Sequence, residues 1–390
     1  MSCLDSDVKA DGIHAPLPYD SMEPHVRKMR DFYAKKPGAP LYQKEFGFYC
    51  REEWYSQGLD RDADVSEEFG YDPPAHHGLG ELGWCVAHLC PWFEEKVIEK
   101  KGRHEVVQDR AGRQLLCFAG RRNGFMPEYI DHPVKDMKTW KENIEWRMDP
   151  ETPERYTGFD IKTEQARQAA RRGEIISQRL IGGYMYLRSL IGPEQLFYAF
   201  YDMPDVIHTC METWMKLADA IIARHQEHVT LDEMFFAEDI CYNHGPLISV
   251  EMMKEFLFPY YQQIIANAKQ RQIDASRHLF VQVDTDGYAD PVIGPYCEAV
   301  GMDVMSPFEV ASGCDVVRAG QTFPELRMSG GIDKRVLAQS KKDIDRMVER
   351  IIRAMRQRGG YIPTCDHGVP AEVPLTNYRH YRSRVIELSE

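Results

Sequence analysis

Two aspartates two residues apart close the run VQVDTDG (Val281 to Gly287), and Cys365, Asp366 and His367 close YIPTCDHGVP (Tyr361 to Pro370). On a strand, Asp284 and Asp286 face the same side. Two carboxylates on one face are costly unless a cation or a shared proton relieves them. The pair therefore points to a metal or to acid–base work, although Asp-Thr-Asp-Gly is an equally good turn sequence. His367, followed by Gly368, is placed to expose an imidazole beside Cys365. Glu238 and Asp239 close a third apolar run (Met234 to Asp239). Neighbours on a strand point to opposite sides, so one of the two faces the site. Oxygen and imidazole donors suit Zn²⁺, Fe²⁺ or Mn²⁺, zinc first. The turn Gly330-Gly331-Ile332-Asp333-Lys334 offers backbone N–H groups and an ammonium to a carboxylate or phosphate, or else its glycines serve only a tight turn. No HExxH, GxSxG, GxxxxGK[ST] or GxGxxG is present, which leaves P-loop and nicotinamide chemistry without support.

These clusters must be carried by regular elements. VQVDTDG, VMSPFE (Val304 to Glu309), RMSGGIDK (Arg327 to Lys334) and YIPTCDHGVP each open apolar and close polar, and helical stretches separate them. That is the pattern of consecutive βα units whose strand C-termini converge on one site, so the expected fold is a (β/α)₈ barrel. Upstream, a helix is expected around Met22 to Tyr33 and ends at KKPGAP. A first strand is expected within Leu41 to Tyr71, with Glu45 near its end. PPAHHGLGELGW (Pro73 to Trp84) reads as a loop. VVQDRAGRQLLCF (Val106 to Phe118) reads as an inserted β-hairpin turning at Ala111-Gly112. ISQRLIGGYMYLRSLIG (Ile176 to Gly192) reads as strand, Gly-Gly loop and helix. No linker splits the chain, so residues 1–40 form an arm and helix and residues 41–390 one barrel domain.

Composition narrows the class. The chain has 390 residues, 43% of them hydrophobic, and a net charge of −13, which argues against nucleic acid as a main partner. No apolar run is long enough for a membrane span, and the N-terminus shows no secretory pattern, so a cytoplasmic protein is expected. Ten cysteines without a CxxC then read as reduced, mostly buried thiols.

Residues 234 to 382 resemble the uroporphyrinogen decarboxylase superfamily, near its decarboxylase-like and cobalamin-dependent methyltransferase members. EDICYNHGPLIS with PYY, then DTDG, SPFE, SGGIDKRVLA and GGYIPTCDHGVPAEVPLTNYRHY carry the likeness. EFGFYCREEW and FMPEYIDHPVKD carry it more weakly upstream. The resemblance implies a (β/α)₈ barrel with N-terminal helical additions, and a homodimer. The family's methyltransferases bind zinc through His-x-Cys and a later Cys. Those positions fall here at Asp284-Thr285-Asp286 and at His367, so a harder, more oxygen-rich site replaces the thiolate one. GRRNGFMPEY (Gly120 to Tyr129) is superficially like the family's Arg-rich porphyrinogen grip but lies too far downstream, which argues against porphyrinogen as substrate. No Asp-x-His-x-x-Gly motif occurs, so a corrinoid would arrive on a partner protein.

Three readings follow. The first is a metal-dependent methyltransferase or demethylase acting on a small methylated or methoxylated compound. Its ligands would be Asp284, Asp286 and His367, with Cys365 in reserve, and Glu238 would join Asp286 and His367 in catalysis. The metal would act as a Lewis acid. Arg179, Tyr184, Tyr242, Asn243 and Lys334 would orient the substrate. The second is a metal-independent decarboxylase or lyase of a small carboxylic acid, with Asp286 and His367 as acid and base. The third is a non-catalytic ligand-binding barrel, against which the polar residues at four strand ends argue.

Overall fold

The computed structural model describes residues 17–120 and 127–390; the N-terminal arm and most of the Arg-Arg segment GRRNGFMPEY lie outside them. The strands among the described residues are β1 (His76–Leu82), β2 (Lys96–Lys101), β3 (His104–Gln108), β4 (Gln114–Phe118), β5 (Glu128–Asp131), β6 (Ile175–Ile181), β7 (Glu233–Ala237), β8 (Cys241–Tyr242), β9 (Gly245–Pro246), β10 (Phe280–Asp284), β11 (Val304–Ser306), β12 (Arg327–Ser329) and β13 (Tyr361–Ile362). A parallel sheet runs in the order β1-β6-β7-β10-β11-β12-β13, with helices between successive strands from β6 onward. All seven strands contribute side chains or backbone to one central cavity of about 660 Å³, so the sheet wraps around it as a barrel.

Alternation within the strands explains both walls. On β6, Ile176 and Leu180 face the helical shell and are fully buried. Ser177 and Arg179 line the cavity. The registers align the inward residues into layers. Gly78, Ser177, Glu233 and Phe280 form the lowest, then Glu81, Arg179, Phe235, Gln282 and Val304, then Ala237, Asp284 and Ser306. Barrel interiors are usually filled by branched aliphatic side chains. Here polar groups and glycines replace many of them and leave a space.

Two expectations are corrected in the N-terminal part. PPAHHGLGELGW is not a loop; it supplies β1, which pairs with β6. Its alternation was hidden because Gly78 and Gly80 stand where a strand would carry inward side chains. The segment Leu41 to Tyr49 forms no ladder. It meets the C-terminal end of the barrel through the Phe48–Val369 bridge, with Tyr49 N–H donating to Val369 and Val369 N–H to Gly47. The expected eight-stranded barrel is therefore seven laddered strands among the described residues, with segment 41–49 standing at the seam.

The expected hairpin is present, Gln108 pairing with Gln114 and His104 with Phe118. It is the centre of an antiparallel sheet β2-β3-β4-β5 whose outer strands the pattern did not reveal. The helix Pro24–Tyr33 closes the barrel floor rather than standing apart. Its Met29, Phe32 and Tyr33 pack with Ile175, Phe280, Val304 and Ile362. Tyr33 hydroxyl reaches His76 Nε2 at 2.8 Å and donates to Glu233. Among the described residues no helix is long and apolar enough to cross a membrane.

Candidate functional site

The C-terminal mouth of the barrel gathers Asp286, His367, Asp239, Glu309, Lys334 and Asp366. Alternation carries the face established by Gln282 upward through Asp284 to Asp286. Between them, buried Thr285 turns outward, where its Oγ1 accepts Ile240 and Cys241 N–H at 3.0 and 3.2 Å. That clamp fixes the loop after β7 against the loop after β10. The Asp-Thr-Asp-Gly segment is thus a strand end rather than a free turn.

Asp286 Oδ2 lies 3.8 Å from His367 Nε2, with 43% and 29% of their side chains exposed. This is too long for a direct hydrogen bond. An oxygen at ~2.8 Å from both would sit at a near-right angle between them, within ordinary hydrogen-bond lengths. The His367 ring lies against Phe46 and Tyr49, centroids 4.7 and 5.9 Å away. A Cβ at Gly368 would strike the Tyr49 ring, so glycine there allows this contact.

The electrostatics push the pair toward one state. Burial, followed by Asp239, Asp284 and Glu309, raises Asp286 to about 7. Burial and then Lys334 lower His367 below its usual value. The two shifts run in opposite directions, favouring a protonated carboxyl beside a neutral imidazole, one donor and one acceptor across the gap. The surroundings are held firmly. Asp366 is fully buried, accepts Val310 N–H at 2.9 Å and pairs with Lys334 Nζ at 3.3 Å. Glu309 accepts Gly287 N–H at 3.0 Å. Asp239, with φ of 45°, pairs with Arg188 at 2.8 Å.

Other expected site residues lie elsewhere. Glu238 is fully buried in the wall, where Tyr261 donates to it and Tyr184 N–H caps onto it at 2.9 Å. It anchors the start of the helix Gly183–Ile191, and Asp239 takes the place in the mouth expected of Glu238. Tyr184 is likewise fully buried, so it packs rather than meets substrate. Cys365 is buried on the outer side, its N–H on Glu45 and its thiol pushed well above the usual value by burial and Glu45. Tyr242 is exposed at the rim, as is Asn243, which accepts Ser312 Oγ at 3.4 Å. The glycine turn is no anion cradle: Gly330 N–H is bound to Ile362, Gly331 N–H to Pro307 and Lys334 N–H to Asp366. Lys334 itself reaches the mouth acids, with Glu309 at 3.9 Å. Arg188, Phe46 and Tyr49 were missed. Only the aromatic richness of EFGFY hinted at the last two, and Arg188 lies in the helical run after the Gly-Gly loop without a distinguishing mark.

A metal centre of Asp284, Asp286, His367 and Cys365 does not fit this arrangement. Cys365 points into the wall, and Asp284 accepts Ser306 Oγ. Among the described residues no three His, Cys, Asp or Glu side chains converge as a metal would require.

Comparisons with known proteins bear on the fold and family. A methyltransferase from Methanosarcina mazei superposes with a TM-score of 0.55 at 10% identity, covering 93% of this chain and 98% of that one. At that identity the likeness is one of fold. A Bacteroidetes-affiliated GH5 cellulase matches with a TM-score of 0.32 at 9% identity, covering 60% and 75% of the two chains. A putative vitamin-B12 independent methionine synthase from Listeria monocytogenes matches with a TM-score of 0.34 at 10% identity, covering 90% and 97%. Neither superposition is close enough to argue from. No curated protein matches the chain. The family described as uroporphyrinogen decarboxylase (URO-D) matches residues 181–388, from the end of β6 through the last helix. That span is more than half the sequence and carries Asp239, Asp286, Glu309, Lys334 and His367, and the chain belongs to the URO-D family.

Proposed function

We propose that the protein is an acid–base enzyme of this family that decarboxylates, or otherwise cleaves, a small carboxylic acid at the barrel mouth. The observation that carries this reading is the Asp286–His367 pair. A raised carboxyl and a lowered imidazole face each other across a gap that one substrate oxygen would bridge. Environments that reverse the usual order of a carboxyl and an imidazole mark acid and base roles. In a decarboxylation the bond to the carboxyl carbon breaks and CO₂ leaves. The electron pair stays on the substrate carbon, which takes the proton held by Asp286. Neutral His367 then passes a solvent proton back to Asp286. Lys334 and Arg179 supply positive charge to hold the substrate.

The pH dependence follows from the two directions. The reactive form needs Asp286 protonated and His367 neutral. Turnover is therefore expected to rise with pH as His367 loses its proton, and to fall as pH climbs through about 7. A rate profile that keeps rising above that point would oppose Asp286 as the acid.

Methyl transfer is the second reading. It is favoured by the crowding of Asp239, Asp284 and Glu309 around Asp286, a charge that a divalent cation would relieve. It requires donors that the present arrangement leaves apart, which places it second. A corrinoid-bearing partner and a homodimer belong to this reading as proposals. Metal analysis of protein prepared without chelators, beside a screen of small carboxylic acids for CO₂ release, separates the two. Metal-free protein that releases CO₂ supports the first reading. About one equivalent of Zn, Fe or Mn, lost in both Asp286→Ala and His367→Ala, supports the second.

A further inference from the structure

Beside the mouth, two tryptophan rings stand half-exposed in one pocket. Trp54, Trp140 and Trp214 are buried in the core, as large apolar rings usually are. Trp84 and Trp92 instead keep 37% of their surface exposed and line a cavity of about 330 Å³, within the range of small-molecule sites. The Trp84 ring stacks on Phe235, with centroids 5.6 Å apart and planes 12° from parallel. Trp92 meets the His88 ring edge-on at 6.2 Å, and the Arg110 guanidinium lies 4.8 Å from its centroid. His88 and Arg110 line the same cavity. Glu81 lines both this pocket and the central one, and Cys85, next to Trp84, is within electrostatic reach of Asp239 and Asp286. The pocket therefore adjoins the acid–base pair.

The loop that carries these rings is held in place. Arg147 donates to the Pro91 and Trp92 carbonyls at 2.7 and 3.3 Å, and Arg155 to the His88 carbonyl at 3.0 Å. Phe93 N–H donates to the Arg110 carbonyl at 2.9 Å, which ties the loop after β1 to the turn between β3 and β4. That turn is itself fixed, because Asp109 accepts Ala111 and Arg113 N–H. A Cβ at Gly112 would strike the Phe93 ring, so the tip of the inserted sheet packs closely on the loop. Rings braced in this way bind a partner ring with little further loss of entropy. The other charges in the lining are paired, Glu81 with Arg179 at 3.5 Å and Arg113 with Asp109 at 2.7 Å. Burial, followed by Arg155 and Lys162, lowers His88 to about 4, which leaves its ring neutral at neutral pH. The lining suits an uncharged planar ring rather than a second carboxylate.

We propose that Trp84, Trp92 and Arg110 form an aryl-binding subsite beside the barrel mouth, so that the substrate is a carboxylic acid carrying an aromatic ring. The ring lies against the tryptophans, and the carboxyl that reacts faces Asp286 and His367. The subsite rests on the acid–base reading only in calling the bound molecule the substrate.

Isothermal titration of the full-length protein with phenylacetate and 3-phenylpropionate tests it. Cyclohexylacetate and 3-cyclohexylpropionate, which keep the carboxylate and the bulk but lack the π face, serve for comparison. At least one aryl acid is expected to bind, about threefold or more tighter than its cyclohexyl counterpart. Trp92→Leu should weaken it by about three- to tenfold, Trp84→Leu should act in the same direction, and Trp92→Phe should restore most of the affinity. Tyr201→Leu, which removes an exposed ring outside the pocket, should bind as the wild type does. Circular dichroism checks the fold of each variant. No aryl binding by the wild type, equal affinity for the cyclohexyl acids, or unchanged affinity in both Trp84→Leu and Trp92→Leu would each overturn the proposal. Release of CO₂ from an acid without a ring, by a protein that binds no aryl acid, would sink the subsite alone. Aryl binding that depends on Trp92, without CO₂ release, would sink the acid–base reading alone.

Discussion

Asp286→Asn is expected to lower turnover by about 10²–10⁴-fold, the usual share of a general acid, while leaving the fold intact. The amide keeps the shape of the carboxyl but has no titrating proton to give. Because the side chain is nearly half exposed and, among the described residues, its one close charged neighbour is His367 at 3.8 Å, the barrel has little reason to rearrange. His367→Gln should cost a similar factor, and the double variant little more than either single one if the two act as a unit. Steady-state kinetics on a substrate found by the CO₂ screen, with circular dichroism as the check on folding, reads the effect. A loss below about threefold in Asp286→Asn would remove Asp286 from the chemistry.

Gly330→Ala is expected to be the most damaging small substitution in the mouth. Gly330 has φ of 114°, where side chains are strained, and a Cβ there would lie 1.8 Å from the carbonyl oxygen of Pro307. The obstacle is backbone, so no rotamer change relieves it. Either the β12 turn or the loop after β11 must move, breaking the Gly330–Ile362 and Gly331–Pro307 hydrogen bonds that tie adjacent strand ends together. A loss of more than about 4 kcal/mol is expected, in the range reserved for severe strain. Gly78→Ala, whose Cβ meets nothing, is the control and should change stability by less than about 1 kcal/mol. Urea denaturation of both variants reads the difference. Equal stability of Gly330→Ala and the wild type would mean that the turn is not held as described.

The C-terminal half was legible because its elements repeat one design. Apolar strands 280–284, 304–306, 327–329 and 361–362 stand within a few residues of where VQVDTDG, VMSPFE, RMSGGIDK and YIPTCDHGVP place them. The polar residue after each strand end then had to meet the others, as Asp286, Glu309, Lys334 and His367 do. The N-terminal half was less legible. β1 has glycine at its inward positions, so its period of two carried no hydrophobic signal. Segment 41–49 closes the seam through one bridge, without a ladder to impose alternation. Glu238 and Asp239 show a different limit. Alternation says that one of two neighbours faces the mouth, but which one depends on the positive φ at Asp239, a backbone feature no side-chain pattern reports.

The central claim is that the barrel mouth holds a carboxyl poised near neutrality opposite a neutral imidazole. It is tested most directly by ¹³C NMR titration of the Asp286 carboxyl, assigned by comparison with Asp286→Asn, in the protein prepared without chelators. The account predicts a midpoint near 7. A midpoint in the ordinary range near 4 would mean that Asp286 is a fixed anion at neutral pH, and would contradict its role as proton donor.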